Sequence, residues 1–169
     1  MLKKYRIAIA CAIELLFIFI VTHYFLLPCT VIPSDSMAPT IKAGSITMVQ
    51  RRNFEGEIQR RDIVVFPDPD TQSALYCKRI IGLPGEEIEI RQGITYINGI
   101  ELDEPYIAES YTGSFGPYEI PENCYFLMGD NRTHSYDSRY WNQPFVSEDD
   151  IRGKVCVIWF SEGFCWKTL

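Results

Sequence analysis

The sequence predicts a mainly β protein, in which one antiparallel β domain follows a single N-terminal transmembrane helix. An uninterrupted apolar run near the N-terminus predicts the helix. Beyond it, short segments rich in Val, Ile, Tyr and Phe recur between turn residues, a pattern typical of strands. A chain of 169 residues has room for one domain of ordinary size. We therefore expect a cytoplasmic N-terminus at residues 1–6, a membrane helix at 7–27 and an extracytoplasmic β-rich domain at 28–169.

The apolar run from Ile7 to Leu27 has the length of a membrane-spanning helix. As a helix it would be about 31 Å long, and the hydrocarbon core of a bilayer is about 30 Å thick. Lys3, Lys4 and Arg6 precede the run, which favours a cytoplasmic N-terminus and an exported domain. The alternative is a cleaved signal peptide, but its apolar region would be shorter and no Ala-x-Ala site follows this run.

Strand-like segments continue beyond the apolar run. Alternation in Glu86–Arg91 puts Ile88 and Ile90 on one face. The pair Asn98-Gly99, between two apolar runs, is a strong signal for a β-hairpin. The predicted strands are Ser45–Gln50, Asp62–Phe66, Ala74–Ile81, Glu86–Arg91, Ile94–Ile97, Cys124–Met128 and Lys154–Phe160.

Charge and composition argue against several classes of function. The formal net charge is −6, and the basic residues before the apolar run leave the rest of the chain more acidic still. An acidic domain is a poor partner for nucleic acid, because phosphate binding needs a basic surface. Two histidines, and six cysteines without any CxxC spacing, fit neither a metal cluster nor a disulfide framework. We expect no nucleic-acid partner, no metal and no other cofactor, and we leave open whether Cys156 pairs with Cys165.

Three segments contain the residue types that catalysis needs. Ile32–Thr40 holds two serines, Tyr76–Gly82 holds a lysine inside an apolar strand, and Met128–Trp141 is rich in hydrogen-bonding side chains. Each segment also has an ordinary structural explanation. Serines are common in turns, a polar loop can bond to itself, and a lysine on an edge strand can face water.

Together the segments resemble those of bacterial type I signal peptidases, the serine–lysine proteases that remove signal peptides from exported proteins. The resemblance extends from the membrane anchor almost to the C-terminus, and the motifs stand in the family's order. They read PSDSMAPT at 33–40, RRDIVVF at 60–66, YCKRIIGLPGE at 76–86, TYINGIELDEPY at 95–106 and GDNRTHSYDSRYW at 129–141. Five motifs in order are far more specific than any one of them.

The resemblance implies the roles of three residues in the chemistry. Ser36 matches the family nucleophile and Lys78 its general base. Ser34 matches the residue whose hydroxyl forms the oxyanion hole together with the backbone N–H of Ser36. A lysine can act as a base only when it is neutral, so its pKa must fall well below the usual value of about 10.4, which burial in apolar surroundings can achieve.

Further positions match supporting groups of the family. Ser135 matches a serine that orients the lysine, and Asp137 and Arg139 match charged residues that hold its loop. Arg79 and Asp130 look like a further structural pair. The pockets of the family select small side chains in an Ala-x-Ala pattern. The residues that match their lining are Ile32, Met37, Tyr76 and Cys77.

Two positions depart from the family pattern. Cys77 stands where a branched aliphatic residue is expected, which bears on the size of the substrate pocket. Asn142 follows Trp141 where the family continues with glycine, which bears on the exit of the loop. Neither departure affects the serine or the lysine.

The leading hypothesis is a membrane-anchored serine–lysine endopeptidase of the plasma membrane, with its catalytic domain on the extracytoplasmic side. Its expected partners are preproteins that bear signal peptides, the lipid bilayer and the secretion translocon. One alternative is a Ser-His-Asp hydrolase, for which His134 is the only candidate base because His23 lies at the membrane edge. Another is a non-catalytic anchored β module that binds exported proteins. Mitochondrial inner-membrane peptidases also use serine and lysine, so the catalytic pair alone leaves the compartment open.

Overall fold

Two antiparallel β-sheets follow an N-terminal helix in the computed structural model of the chain. The structure describes residues 2–51, 57–109, 111–159 and 166–168. Cys165 lies outside the described residues, so its pairing with Cys156 stays open. The elements are α1 (Leu2–Phe25), β1 (Leu26–Val31), β2 (Ile46–Arg51), β3 (Ile63–Pro67), β4 (Leu75–Gly82), β5 (Glu87–Arg91), β6 (Ile94–Ile97), β7 (Ile100–Glu101), β8 (Phe115–Glu119), β9 (Cys124–Met128), β10 (Val146–Ser147), a 3-10 turn (Glu148–Asp150), β11 (Gly153–Trp159) and β12 (Trp166–Thr168).

Helix α1 starts earlier than the apolar run and ends before its last two residues. Leu26 and Leu27 lie in β1, where they pair with Gln50 and Val49 of β2. The expected helix end at residue 27 is therefore wrong, because strand pairing with β2 takes over the backbone hydrogen bonds from residue 26. No helix in the described part of the chain is both long enough and apolar enough for a membrane crossing.

The larger sheet has eight strands in the order β1-β2-β11-β3-β4-β9-β10, with β12 paired to β11. Strand β3 lies inside it and is buried along its whole length. Ile63 and Val65 of β3 face one apolar cluster, whereas Val64 and Phe66 face another on the opposite side. This two-sided burial explains why the predicted strand over 62–66 reads as a continuous apolar run rather than an alternating one.

The smaller sheet has four strands in the order β7-β6-β5-β8. Ile88 and Ile90 of β5 are both buried in its apolar cluster, which confirms the face predicted from their alternation. That cluster also contains Phe126 of β9, so the small sheet packs against the large one. Asn98 and Gly99 have φ of 50° and 78° and connect β6 to β7, which confirms the predicted hairpin.

The mainly β, antiparallel character of the chain is confirmed, but the division into two sheets was not predicted. The seven predicted strands correspond to β2, β3, β4, β5, β6, β9 and β11, with ends shifted by one residue or unchanged in the described range. Phe160, the expected end of the last of them, lies outside the described residues. Strand β7 is the second strand of the predicted hairpin, whereas β1, β8, β10 and β12 were missed.

Matched isoleucines test which part of this packing holds the fold together. Ile158 is fully buried in the large sheet and Ile100 is 74% exposed in the small one. Ile158→Ala should lower the free energy of unfolding by about 2–5 kcal/mol, because it removes buried methyl groups and leaves a cavity. Ile100→Ala should change it by no more than about 0.5 kcal/mol. Denaturant unfolding of the detergent-solubilised protein measures both, and equal losses would contradict the assigned core.

Candidate active site

A serine and a lysine that are 42 positions apart in sequence are in direct contact. Lys78 Nζ donates a hydrogen bond to Ser36 Oγ, with 2.7 Å between the two atoms. Ser36 lies in the loop between β1 and β2, and Lys78 lies on β4 opposite Val64 of β3. The side chain of Lys78 is therefore held by a strand inside the sheet rather than by an edge strand facing water.

Two kinds of contact fix the Ser36 loop, apolar packing against the core and hydrogen bonds to neighbouring backbone groups. Met37 and Ile41 are fully buried in the core and bridge each other across the turn. Asp35 Oδ1 accepts a hydrogen bond from the backbone N–H of Ala43 at 2.8 Å. From the third segment, the backbone N–H of Asn131 donates to the Ser36 carbonyl at 3.1 Å. Sequence reasoning missed Asn131, although it lies within the 129–141 motif.

Lys78 is buried, with 5% of its surface exposed. Burial lowers the pKa of Lys78 below its ordinary value, and the charge of Asp137 opposes this only in part. Among the described residues, no carboxylate lies within ion-pair distance of Nζ, while the ring centroid of Tyr76 lies 5.7 Å from it. The environment therefore favours the neutral amine, the form that can accept a proton.

Ser34 and Ser135 both lie near Ser36, in different surroundings. Ser34 is exposed, and its Oγ is 3.4 Å from Ser36 Oγ. Ser135 Oγ is buried and has no hydrogen-bond partner in the described part of the chain. The structure thus does not form the expected hydrogen bond between Ser135 and Lys78. It places Ser135 against Gly129 instead, where an added Cβ would collide with both Ser135 Oγ and the Ser36 carbonyl oxygen.

The loop that contains Ser135 is braced by a fully buried ion pair. Arg139 donates to Asp137 through Nε at 2.7 Å and through Nη2 at 2.8 Å. Asp137 also accepts a hydrogen bond from the backbone N–H of Gly129 at 3.0 Å. Burial disfavours the charged guanidinium, but the hydrogen bonds and charge of Asp137 outweigh it and raise the pKa of Arg139. The rings of Tyr111 and Tyr140 lie 4.8 Å and 5.2 Å from that guanidinium.

A second buried ion pair joins the lysine strand to the same loop. Arg79 donates to Asp130 through Nε at 2.7 Å and Nη2 at 2.5 Å, which is the structural pair that the family resemblance implied. Because Arg79 follows Lys78 and Asp130 follows Gly129, this pair fixes β4 against the start of the loop. In the described residues, no group of histidine, cysteine or acidic side chains could hold a metal ion.

The four residues expected to line the substrate pockets divide between two faces of the sheet. Ile32 and Met37 pack in one cluster, with Cys77 partly buried against it. Tyr76 packs in the opposite cluster beside Trp141, because neighbouring residues of a strand point to opposite faces. Burial raises the pKa of Cys77 to about 12, so this side chain is a neutral thiol.

The alternative base does not reach the serine. His134 is exposed, and its Nδ1 lies 2.8 Å from Thr133 Oγ1. Asn142, the second departure in sequence, bonds through its backbone N–H and its Nδ2 to Asp70 Oδ1, each at 3.2 Å. Tyr136 OH donates to the same carboxylate at 2.9 Å. Asp70 therefore holds the exit of the loop, and no sequence signal pointed to it.

Comparison with known proteins decides the family. Residues 4–160 match the family described as signal peptidase, peptidase S26. The chain belongs to the signal peptidase family, peptidase S26. The resemblance inferred from the five motifs is thereby confirmed. The serine–lysine contact described above lies within the region that matches the family.

Individual signal peptidases show the extent of the similarity. The signal peptidase I of Bacillus amyloliquefaciens is 40% identical over 165 residues, which span 91% of this chain and 82% of that protein. A probable signal peptidase I-2 from Synechocystis is 39% identical over 132 residues, which span 75% of this chain but only 60% of that protein. A crystal structure of a signal peptidase I from Enterococcus faecalis matches with a TM-score of 0.52 at 38% identity, covering 59% of this chain and 97% of the other.

The buried lysine makes a prediction for stability. Between its lowered folded pKa and its unfolded pKa of about 10.4, the unfolded chain binds more protons, so stability rises with pH in that window. Below both values the cost of the buried charge is present in full. Lys78→Met should therefore melt at or above the parent at neutral pH. The difference in melting temperature between Lys78→Met and the parent should narrow once the pH exceeds the folded pKa of Lys78. It should stop changing above about pH 10.4.

Thermal melts across pH compare the two proteins, with Lys154→Met as the matched control. Lys154 is exposed, with 45% of its side chain accessible, and forms an ion pair with Asp62 at 2.6 Å, so Lys154→Met should melt at or below the parent at neutral pH. If Lys78→Met melted well below the parent at every pH, Lys78 would be a charged structural partner rather than a buried neutral amine.

Proposed function

We propose that this chain cleaves N-terminal signal peptides from exported preproteins after an Ala-x-Ala-like site, with Ser36 as nucleophile and Lys78 as general base. The observation that carries the proposal is the 2.7 Å contact between Lys78 Nζ and Ser36 Oγ in a buried environment. Membership of the signal peptidase family supplies the substrate class. The proposal makes the chain a serine endopeptidase that needs no metal or other cofactor.

The proposed reaction follows from what a neutral amine can do beside a hydroxyl. Lys78 takes the proton of Ser36 as Oγ attacks the carbonyl carbon of the scissile bond. The tetrahedral intermediate collapses, and the proton on Nζ passes to the leaving amine, which departs as the new N-terminus. Water then attacks the acyl-enzyme while Lys78 takes its proton. The second intermediate collapses, the proton passes from Nζ to Ser36 Oγ, and the signal peptide leaves as a free acid.

The developing oxyanion needs hydrogen-bond donors close to the nucleophile. We assign this role to the hydroxyl of Ser34 and the backbone N–H of Ser36. The 3.4 Å distance between the two serine oxygens supports the assignment, because it puts the Ser34 hydroxyl beside the carbon under attack. A donor of this kind lowers the barrier by about 3 kcal/mol.

Ser135 is proposed to orient the lysine during the reaction. Its buried, unpartnered hydroxyl is costly to maintain, since an unmade hydrogen bond costs about 1–3 kcal/mol. A proton-bearing Lys78 Nζ would be a suitable partner for it. Asp137 and Arg139 hold the loop that presents this hydroxyl.

Selection of small side chains is proposed to arise from the apolar wall that Ile32, Met37 and Cys77 form. This wall joins the core directly, so a large substrate side chain would have to displace buried groups. Tyr76 faces the lysine and is proposed to border the site from the other side of β4.

The N-terminal segment is proposed to anchor the catalytic domain to the plasma membrane as a single crossing formed by the helical part of the apolar run, residues 7–25. Support comes from the apolar sequence, from the basic residues before it and from the helical backbone of α1. In this arrangement the domain at 28–169 faces the extracytoplasmic side, where preproteins emerge. The bilayer and the secretion translocon would be its neighbours there.

Cleavage of a synthetic preprotein, with the cut mapped by mass spectrometry, tests the catalytic roles. Ser36→Ala and Lys78→Ala should each lower kcat at least about a thousandfold, because the nucleophile or its base is lost. His134→Ala should retain most of the activity. An inactive His134→Ala beside an active Lys78→Ala would establish the Ser-His-Asp alternative. A parent protein that binds the preprotein without cutting it would establish the non-catalytic module.

Protease added to intact spheroplasts of a bacterial host tests the topology. The β domain should be degraded, leaving a short fragment protected by the membrane, while a cytoplasmic marker protein remains intact. Full protection of the domain in cells whose marker is also intact would reverse the orientation.

A further inference from the structure

The connection between the two short strands β7 and β8 forms a buried ion pair with the loop at residues 129–141, here called the catalytic loop. Arg132, in the loop, donates to Glu104 through Nη1 at 3.1 Å and through Nη2 at 2.5 Å. Their side chains are 1% and 7% exposed, respectively. Glu104 belongs to the small sheet's side of the molecule, so this contact joins the small sheet to the catalytic loop.

Arg132 also contacts the backbone next to the Ser36 segment. Its Nε donates to the Gly129 carbonyl oxygen at 3.1 Å. On its other side, the Gly129 peptide N–H is bound by Asp137 at 3.0 Å. Gly129 itself packs so closely against the Ser36 carbonyl and Ser135 Oγ that it has no room for a side chain. The guanidinium of Arg132 therefore fixes a residue against which both the Ser36 segment and Ser135 pack.

A second arm runs from Glu104 to the lysine strand. Tyr106 OH donates to Glu104 Oε1 at 2.8 Å. The ring of Tyr106 lies 4.1 Å from the guanidinium carbon of Arg79. Arg79 directly follows Lys78 in β4. The Glu104 carboxylate therefore orients two groups. One is Arg132, which contacts Gly129 next to the Ser36 segment, and the other is Tyr106, which packs on Arg79 beside Lys78.

We propose that Glu104 is a positioning residue for the reaction, acting through Arg132 on Gly129 and through Tyr106 on Arg79. This inference rests on the proposed function of Ser36 and Lys78. Stability alone is a poor reason for the pair, because replacing a buried ion pair by apolar groups is often neutral or stabilising. The pair instead fixes the orientation of the Arg132 side chain, because a carboxylate that binds through both oxygens holds a guanidinium in one orientation.

The test compares Glu104→Gln with Asp103→Asn, which removes the same charge from the adjacent residue. The side chain of Asp103 is 85% exposed, so its loss should leave turnover unchanged. Glu104→Gln replaces one carboxylate oxygen by an amide group that cannot accept from Arg132 or Tyr106. We expect kcat per active site to fall about tenfold or more, because small displacements of reacting groups lower rates steeply. KM and the midpoint of the pH–rate profile should stay close to the parent values.

Active sites are counted by covalent labelling of Ser36 with a serine-reactive inhibitor, read by intact mass. This separates positioning from a merely structural role, which would reduce the number of labelled sites and leave the rate per site unchanged. A parent rate per site in Glu104→Gln would overturn the inference. If Glu104→Gln does not fold, Glu104→Asp tests the inference instead. It keeps the negative charge but moves the carboxylate away from Arg132 by the length of one methylene. Its rate per site should fall several-fold with a melting temperature near the parent's, and an unchanged rate would overturn the inference.

The same assay distinguishes this inference from the proposed function. If the parent and Asp103→Asn both fail to cut the preprotein, the proposed function itself is wrong and the inference falls with it. If both cut and Glu104→Gln cuts equally fast per labelled site, only the role of Glu104 is wrong.

Discussion

The rest of the structure depends on one constraint, the burial of an amine beside a hydroxyl. An acid paired with Lys78 would favour its charged form, and acidic residues stand close by in the catalytic loop. The fold resolves this by giving each nearby acid its own arginine. Asp130 is held by Arg79 and Asp137 by Arg139, both through two hydrogen bonds. Because these charges are already compensated, burial remains the dominant influence on the lysine.

The architecture supplies that burial through strands that are covered on both faces. Strand β3 is buried along its whole length and carries Val64 opposite Lys78. On the other face of the sheet, Met37 and Ile41 pack in the core and thereby hold the Ser36 loop in place. The serine is therefore positioned by apolar packing from one cluster and the lysine by a strand between two clusters. Packing of this density transmits small displacements, so the Ser36–Lys78 distance depends on residues well away from it.

Sequence reasoning reached the long, regular strands and stopped at features set by distant contacts. Strand β8 contains Gly116 at φ 87° followed by Pro117, a combination that reads as a turn and forms a strand only because β5 pairs with it. Strand β1 begins inside the apolar run, where composition cannot distinguish helix from strand. For the site, the family resemblance named Ser36 and Lys78, but no spacing in the sequence could give their distance. The unpaired Ser135 hydroxyl was missed for the same reason, since hydrogen-bond geometry is fixed by tertiary packing.

The pairing of acids with arginines also bears on why a lysine suits the proposed role of general base here better than a histidine would. A histidine base needs a third group, usually a carboxylate, to hold its tautomer and to stabilise its charged form. Here the two carboxylates of the catalytic loop are occupied by Arg79 and Arg139, and His134 of the same loop faces solvent. A lysine has no tautomer to fix, and burial alone moves its pKa in the direction that a base requires. The loop's acids are thus free to brace the fold, and the pKa of the proposed base, Lys78, is set by burial rather than by a charged partner.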